Sequence, residues 1–375
     1  MLALGSLLYT AGSAILYVLP AYLTELNTQL GINEAQMGSI MGAENLGIAL
    51  ASILSMLWLT RVNRRMLAVA GAAFCAVLNI IAFFSRRFEL LVAARFLTGL
   101  LGEGILFALA FVVLGSSRDP DRAFGIGLTA VVTFGSLVLG TSTYLDRVPI
   151  GTGALLPLAI VPLGILFAVK WMPRARPATA SPMSTGAKGA TGRFAFLAVA
   201  GMAIWFAAPG AFWTFAEGAA TDHKVTAGTI SLALAIGNAV GLLGSVMAVW
   251  QGDRWGRARP ILVSTACLCL SVVGFEQSRS VIALALALSA FNVFWNYATV
   301  YEMALVVALD TAGRTSPAIS AAQVIGFAAG GFFSGLAIFR AGYGALPAVV
   351  SLFALGGVLI LALCFRVPKL ELHRG

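Results

Sequence analysis

Charge is what this sequence lacks. Only 10% of its 375 residues are Asp, Glu, Lys or Arg, against 59% hydrophobic, and its mean hydropathy is +0.93. Water-soluble domains carry about a quarter charged residues, so a soluble globular fold is excluded. Histidine is nearly missing: His223 and His373 are the only two, and both fall outside the apolar runs. That excludes a His-based metal centre. With no clustered nucleophile and base, it also argues against a membrane-embedded enzyme. The four cysteines, Cys75, Cys267, Cys269 and Cys364, all sit inside apolar runs. Cys267 and Cys269, two apart, face different sides of a helix, and they read as small packing residues. No metal, no disulfide and no cofactor is expected. A basic segment ahead of the first apolar run is absent too, since Glu25 is the first charged residue; no cleavable signal peptide is expected. The glycine-rich "GAKGATG" at 186–192 lacks the Gly-Lys-Ser/Thr ending of a phosphate loop, so nothing supports an ATP-driven mechanism.

Long apolar runs fill the space instead. They cover 2–24, 37–59, 66–84, 88–113, 123–144, 149–170, 194–216, 227–250, 260–277, 280–308, 317–338 and 345–366. A run of about 20 apolar residues crosses a bilayer core, and a helix satisfies its own backbone there. The expected fold is an all-α membrane protein of twelve transmembrane helices. The longest polar interval, 171–193, is rich in Pro, Ala, Ser, Thr and Gly and reads as a flexible linker. It divides the chain into six-helix bundles at 1–170 and 194–375.

The net charge of +9 is spread in small clusters between the runs. That pattern sets topology and does not suit nucleic acid. With both termini in the cytoplasm, seventeen of the 24 Lys and Arg lie on the cytoplasmic side, six lie outside and Arg95 falls within a span. Arg86–Arg87 is the local exception. A multi-pass protein of the inner or plasma membrane is expected, monomeric and surrounded by lipid.

The two halves resemble each other. A shift of 193 residues lays Asn45 on Asn238, Arg61 on Arg254 and Arg64 on Arg257, so "LTRVNRRM" overlies "GDRWGRAR". Repeats of this kind occur in transporters whose halves rock about a central site. With these motifs the chain resembles the major facilitator superfamily, whose signature after the second span runs G-x-x-x-D-R-x-G-R-R. The fuller copy here is the second: Asp253, Arg254, Gly256, Arg257, with Val249 in place of the leading glycine. The first copy keeps Arg61, Arg64 and Arg65, but Thr60 stands where the acid belongs. "RFLTGLLGEG" from Arg95 is similar to the family's fourth-span R-x-x-x-G. The antiporter pattern of the fifth span is poorly matched, with Ser136 in place of proline. The resemblance implies alternating access and a latch of charges, including Asp253, at the cytoplasmic face.

Ionisable groups in mid-membrane are costly and therefore candidates for function. Four stand out: Glu44, Arg95, Glu103 and Glu302. Glu44 and Arg95 lie seven residues into their spans from the same side, about 10 Å deep. They pair, as a proton switch or a fixed tie, unless Glu44 is wetted near the outer rim. Arg95 and Glu103 are expected to face one cavity without touching, being about 12 Å apart along the axis and 80° around it. Glycines at 99, 102 and 104 leave room around Glu103, the first choice for a proton carrier, with Glu44 and Glu302 second. On the tenth run, Asn292, Trp295, Asn296, Thr299 and Glu302 share one face. The resemblance implies that this face and the fourth span border a central cavity. Glu302 alternatively ties to Arg254 or Arg257. In the seventh run, Pro209–Gly210 reads as a break and gating hinge, beside Trp205 and an aromatic group that includes Trp213. The eleventh carries a small-residue packing stripe, Gly326, Gly330 and Ser334, with Gln323 before it as a weaker cavity candidate. Tyr17 is weaker still. The substrate-binding candidates are thus Arg95, Glu103, Asn292, Trp295, Asn296, Trp205 and Gln323. The expected function is secondary active transport of a small organic solute, anionic or aromatic, by alternating access, with protons as the coupling ion. The alternative is a non-transporting receptor on the same fold.

Overall fold

The computed structural model describes residues 1–32, 34–58, 62–145, 153, 155–172, 187–222, 227–278, 280–310, 315 and 318–365. The described residues form helices and no strand. In chain order these are α1 (Leu2–Leu30), α2 (Glu34–Trp58), α3 (Arg64–Phe84), α4 (Phe88–Leu97), α5 (Gly104–Gly115), α6 (Pro120–Leu145), α7 (Leu155–Ala168), α8 (Ala187–Asp222), α9 (Ala227–Gln251), α10 (Ala258–Glu276), α11 (Val281–Leu309), α12 (Ala318–Ala341) and α13 (Leu346–Phe365). A π-helical segment, Thr98–Glu103, joins α4 to α5, so Phe88–Gly115 is one continuous rod.

Among the described residues, ten helices are long and apolar enough to cross a membrane. The runs at 37–59 and 149–170 instead give shorter apolar stretches, Ser39–Ser55 and Leu155–Trp171. Several boundaries differ from expectation. The first helix continues to Leu30, and α8 begins at Ala187, inside the interval read as linker. The expected break at Pro209–Gly210 is absent, because α8 is helical through both residues. Proline is tolerated where packing and side chains re-satisfy the freed backbone groups. Here the Thr214 hydroxyl donates to the Gly210 carbonyl at 2.7 Å.

Phe167, Phe196, Ile282, Leu286 and Phe339 are exposed, as side chains facing lipid should be. Between helices, packing relies on small residues, which let backbones approach. Gly326 and Gly330 of α12 lie against the Ala203 and Ala207 carbonyls of α8, and Ser334 donates to the Ala211 carbonyl at 3.2 Å. The stripe read from the sequence is therefore a helix-crossing surface. Gly210 is a contact of the same kind, against the Phe327 backbone. The two halves also repeat their crossings. Gly99 lies against Ile48, and Asn292, 193 residues on, lies against Gly241, likewise 193 after Ile48.

The halves meet along two seams, α6 against α9 and α2 against α12. Thr129 and Ser245 hydroxyls lie 2.8 Å apart, and the Asn238 amide donates to Ser136 at 3.1 Å. On the other seam Ser320 donates to Ser52 at 2.8 Å. The Tyr9 hydroxyl of α1 reaches the Met303 sulfur of α11 at 3.7 Å. These bonds run from the end that carries the basic clusters to the middle of the helices.

Filling the α8–α12 crossing is the sharpest test of this packing. Gly330→Val should lower stability by roughly 1–3 kcal/mol, the usual cost of overpacking. Gly274→Ala, with open space around its Cα, should be neutral. Thermal unfolding of the two variants in detergent checks the contrast.

Candidate functional site

A fully buried polar group lies inside the first half. Arg95, at 0% exposure, donates from Nε to Glu44 Oε2 at 3.0 Å and from Nη1 to Asn79 Oδ1 at 2.6 Å. Its Nη2 pairs with the second Glu44 oxygen and stands 3.5 Å from Glu103 Oε1. The guanidinium also lies 5.6 Å from the centre of the Tyr22 ring. Glu44 and Glu103 are buried as well, so Glu44 is not wetted at a rim. Four helical segments and α1 thus converge on one cation.

The contact between Arg95 and Glu103 corrects the expectation that they do not touch. The π segment explains it. Gly104 N–H bonds to the Gly99 carbonyl, five residues back, so one extra residue is taken up in the turn. The pair then behaves as i,i+7 and lies roughly 20° apart around the axis instead of 80°. Their long side chains close the axial gap. Two carboxyls share one guanidinium, so the group is charge-balanced only when one carboxyl holds a proton. The second Glu103 oxygen has no hydrogen-bond partner among the described residues.

A second group crosses from one half to the other. Trp295 of α11 lies nearly parallel to Tyr17 of α1, centroids 5.8 Å apart at 10°. Phe327, Trp213 and Phe291 surround it at 6.0–6.1 Å. Trp213 is therefore interior. Asn292 and Asn296 are fully buried and use their amide N–H groups on carbonyls of α11, at 3.0 and 2.9 Å. Their carbonyl oxygens, and the Trp295 and Trp213 indole N–H groups, have no hydrogen-bond partner among the described residues. Gln323 is buried beside Tyr9. Trp205 points elsewhere: it donates to Thr265 at 2.9 Å and packs on Gly357, within the second half.

Glu302 is fully buried, and neither of its oxygens has a hydrogen-bond partner among the described residues. The alternative tie to Arg254 or Arg257 is not made. Arg254 is exposed and stacks over Trp250 at 5.7 Å. Arg257 instead forks onto Asp121, Nη2 to Oδ2 at 2.8 Å and Nε to Oδ1 at 3.2 Å. Burial pulls the Arg257 protonation equilibrium down. The Asp121 hydrogen bonds and charge, helped by Asp253 and Asp119, outweigh it and raise the pKa.

This fork joins the loop after α9 to the start of α6, hence one half to the other. Its acid is Asp121. Asp253 is exposed and acts on Arg257 through its charge alone. Gly252 and Gly256 take φ of +55° and +66°, which is why this tight turn needs glycine. In the first copy, Arg65 donates to the Lys170 and Met172 carbonyls at 3.2 and 3.4 Å, after the end of α7. Arg64 is partly buried, and Arg61 lies outside the described residues. The sequence signal for Asp121 was "RDPDR", an acid in a helix's first turn in so acid-poor a chain. Asn79, a lone amide in "VLNIIAFF", was another. Among the described residues, no three His, Cys, Asp or Glu side chains cluster to hold a metal.

Comparison with known proteins gives a family. The family model described as Major Facilitator Superfamily matches residues 2–216. Multidrug resistance protein MdtL of Escherichia coli O81 (strain ED1a) is 27% identical over 185 residues, 47% of this chain and 46% of that protein. The protein of the same name from E. coli O157:H7 (strain EC4115 / EHEC) is 28% identical over 197 residues, 50% and 49% of the two chains. That from Shigella dysenteriae serotype 1 (strain Sd197) is 27% identical over 197 residues, with the same coverage. The match spans about half the length of these relatives.

Removing one partner of a buried ion pair costs roughly 3–5 kcal/mol. Arg95→Met should therefore destabilise the protein by about that much, and adding Glu44→Gln should recover part of the loss. Unfolding of the single and double variants in mixed micelles measures the coupling.

Proposed function

The chain belongs to the major facilitator superfamily, and from that premise we propose that it is a twelve-helix secondary transporter of the inner or plasma membrane. It moves a small organic solute by alternating access between bundles at 1–170 and 194–375, with both termini in the cytoplasm. The relatives named as multidrug resistance proteins favour an organic, largely apolar solute over a sugar. The Trp295 tier, with Tyr17 from the other half, supports a flat ring system as its body. Asn292, Asn296 and Gln323 supply polar edges, and Trp205 is left to structural packing.

Coupling to protons rests on one observation, that Glu103 and Glu44 share the buried Arg95 guanidinium. Glu44 takes both the Nε bond and the closest approach, so it is the standing counter-ion. Glu103, held at 3.5 Å with one oxygen lacking a hydrogen-bond partner among the described residues, is the carboxyl that gains and loses the proton. A change in its charge alters the pull on Arg95 and so the packing of α2, α3 and the π segment. The Arg257–Asp121 fork acts as the latch at the cytoplasmic end, with Asp253 and Arg254 on its rim and Arg64 and Arg65 at the start of α3 in the first half.

Two measurements test this reading. A thermal-shift screen first finds solutes that stabilise the protein. Proteoliposomes then report solute uptake with and without a pH gradient. Glu103→Gln should abolish the dependence on the gradient while leaving solute binding. Gradient-driven transport that survives Glu103→Gln would sink the carrier assignment. For the latch, Asp121→Asn should speed maleimide labelling of Ser245→Cys from the cytoplasmic side by roughly tenfold, the loss of about 1.5 kcal/mol from a charged hydrogen bond. An unchanged labelling rate would show that the fork does not hold the seam closed.

A further inference from the structure

The two copies of the charged loop differ in their acids. In the second copy Arg257 forks onto Asp121, and Asp253 adds its charge. The 193-residue register pairs Arg257 with Arg64, Asp253 with Thr60 and Asp121 with Arg314. Both acids of the fork are thus missing from its twin, and one is replaced by a further arginine. Thr60 and Arg314 themselves lie outside the described residues. No Asp or Glu occurs at 45–88 or at 147–216, so neither α3 nor α7 carries a carboxylate.

The basic side chains at this corner are poorly satisfied. Arg64 Nε is buried and has no hydrogen-bond partner among the described residues. The ion pairs described, those of Arg95 and Arg257, do not include it. Its neighbour Arg65 bonds through Nη2 alone, to the Lys170 and Met172 carbonyls. That contact ties the start of α3 to the end of α7. Lys170 is exposed, with its Nζ 4.8 Å from the centre of the Trp171 ring. Three cations therefore meet here, and among the described residues no anion answers them.

The surroundings indicate where an anion comes from. Phe167 is 80% exposed, Met66 63% and Trp171 56%. Apolar side chains this open face lipid tails, and a tryptophan at a helix end sits at headgroup level. Guanidinium groups match phosphate oxygens in shape and charge. A phosphate carried on a lipid satisfies both halves of the corner, its oxygens on the cations and its tails along Phe167 and Met66. Basic pockets between helices on this side of a membrane suit such headgroups.

We propose that Arg64, Arg65 and Lys170 form a binding site for the headgroup phosphate of an anionic phospholipid, where α3 meets the end of α7. The lipid supplies the negative charge that the first copy of the loop has lost. The site depends on the membrane setting of the chain and not on solute transport.

Dioleoylphosphatidylglycerol is the probe, and dioleoylphosphatidylcholine is its counterpart without net charge. Mass spectrometry of the intact full chain, released from detergent micelles, counts the lipids that stay bound. Phosphatidylglycerol should be retained saturably and phosphatidylcholine should not. Arg64→Gln and Lys170→Gln should each weaken retention by roughly fivefold, the share of one basic residue near an anionic headgroup. Arg259→Gln, at an exposed arginine on α10, should leave it unchanged. Equal retention of the two lipids by wild type overturns the proposal, and that result needs no variant to fold. Undiminished retention in Arg64→Gln overturns it as well. An equal loss in Arg259→Gln would show attraction to basic surface in general and no site at α3 and α7. Displacement of the lipid by millimolar inorganic phosphate would overturn the lipid as occupant in favour of a soluble anion.

Discussion

A single guanidinium organises the first half of this protein. Arg95 draws Glu44 from α2, Asn79 from α3 and Glu103 from the end of the π segment onto one point. None of these groups tolerates the membrane interior unpaired. Their common partner therefore fixes how deep α2, α3 and the 88–115 rod sit relative to one another. Apolar packing alone would let the rods slide, since lipid tails are as apolar as the helix surfaces. The π segment belongs to the same constraint, because the extra residue in its turn brings Glu103 round to Arg95.

The second half is built on other terms. Under the 193-residue shift, Asn296 stands where Glu103 does and Leu288 where Arg95 does. Amides bonded to their own helix replace the ion network, and glycine crossings between α8 and α12 hold the bundle. Among the described residues, one half thus keeps its buried charges paired among themselves, while the other keeps Glu302 with no hydrogen-bond partner.

Much of this was legible in the sequence, and the failures have physical causes. Apolar runs and basic clusters marked the helices, because a bilayer enforces both. The small-residue stripe on α12 was readable at its spacing of four. Glu44 and Arg95 were matched by depth alone. Contacts that depend on a change of helical period were not readable: an ideal α-helix keeps Glu103 away from Arg95, and "TGLLGE" carries no obvious mark of a π turn. Pro209 misled in the opposite sense, since local propensity yields to tertiary packing inside a bundle. Arg257 of the motif loop pairs across the seam with an acid that the motif does not contain. Asp253 belongs to the motif, whereas the partner across the seam, Asp121, comes from the first turn of α6, more than a hundred residues away.

The seam itself has a kinetic consequence. Its described bonds are mostly between neutral hydroxyls and amides: Ser52 with Ser320, Thr129 with Ser245, Ser136 with Asn238. Each is worth only about 1 kcal/mol net, and each hydroxyl can turn to its own helix carbonyl, as Thr129 does at 2.8 Å. Were the halves to separate, such a joint would part like a zipper, tooth by tooth, with no single bond setting the barrier. Only the fork at its end resembles a clasp. Separation of the halves would then be governed by one charged pair at the membrane surface, within reach of ions and water, and the buried length of the interface would add little to the waiting time.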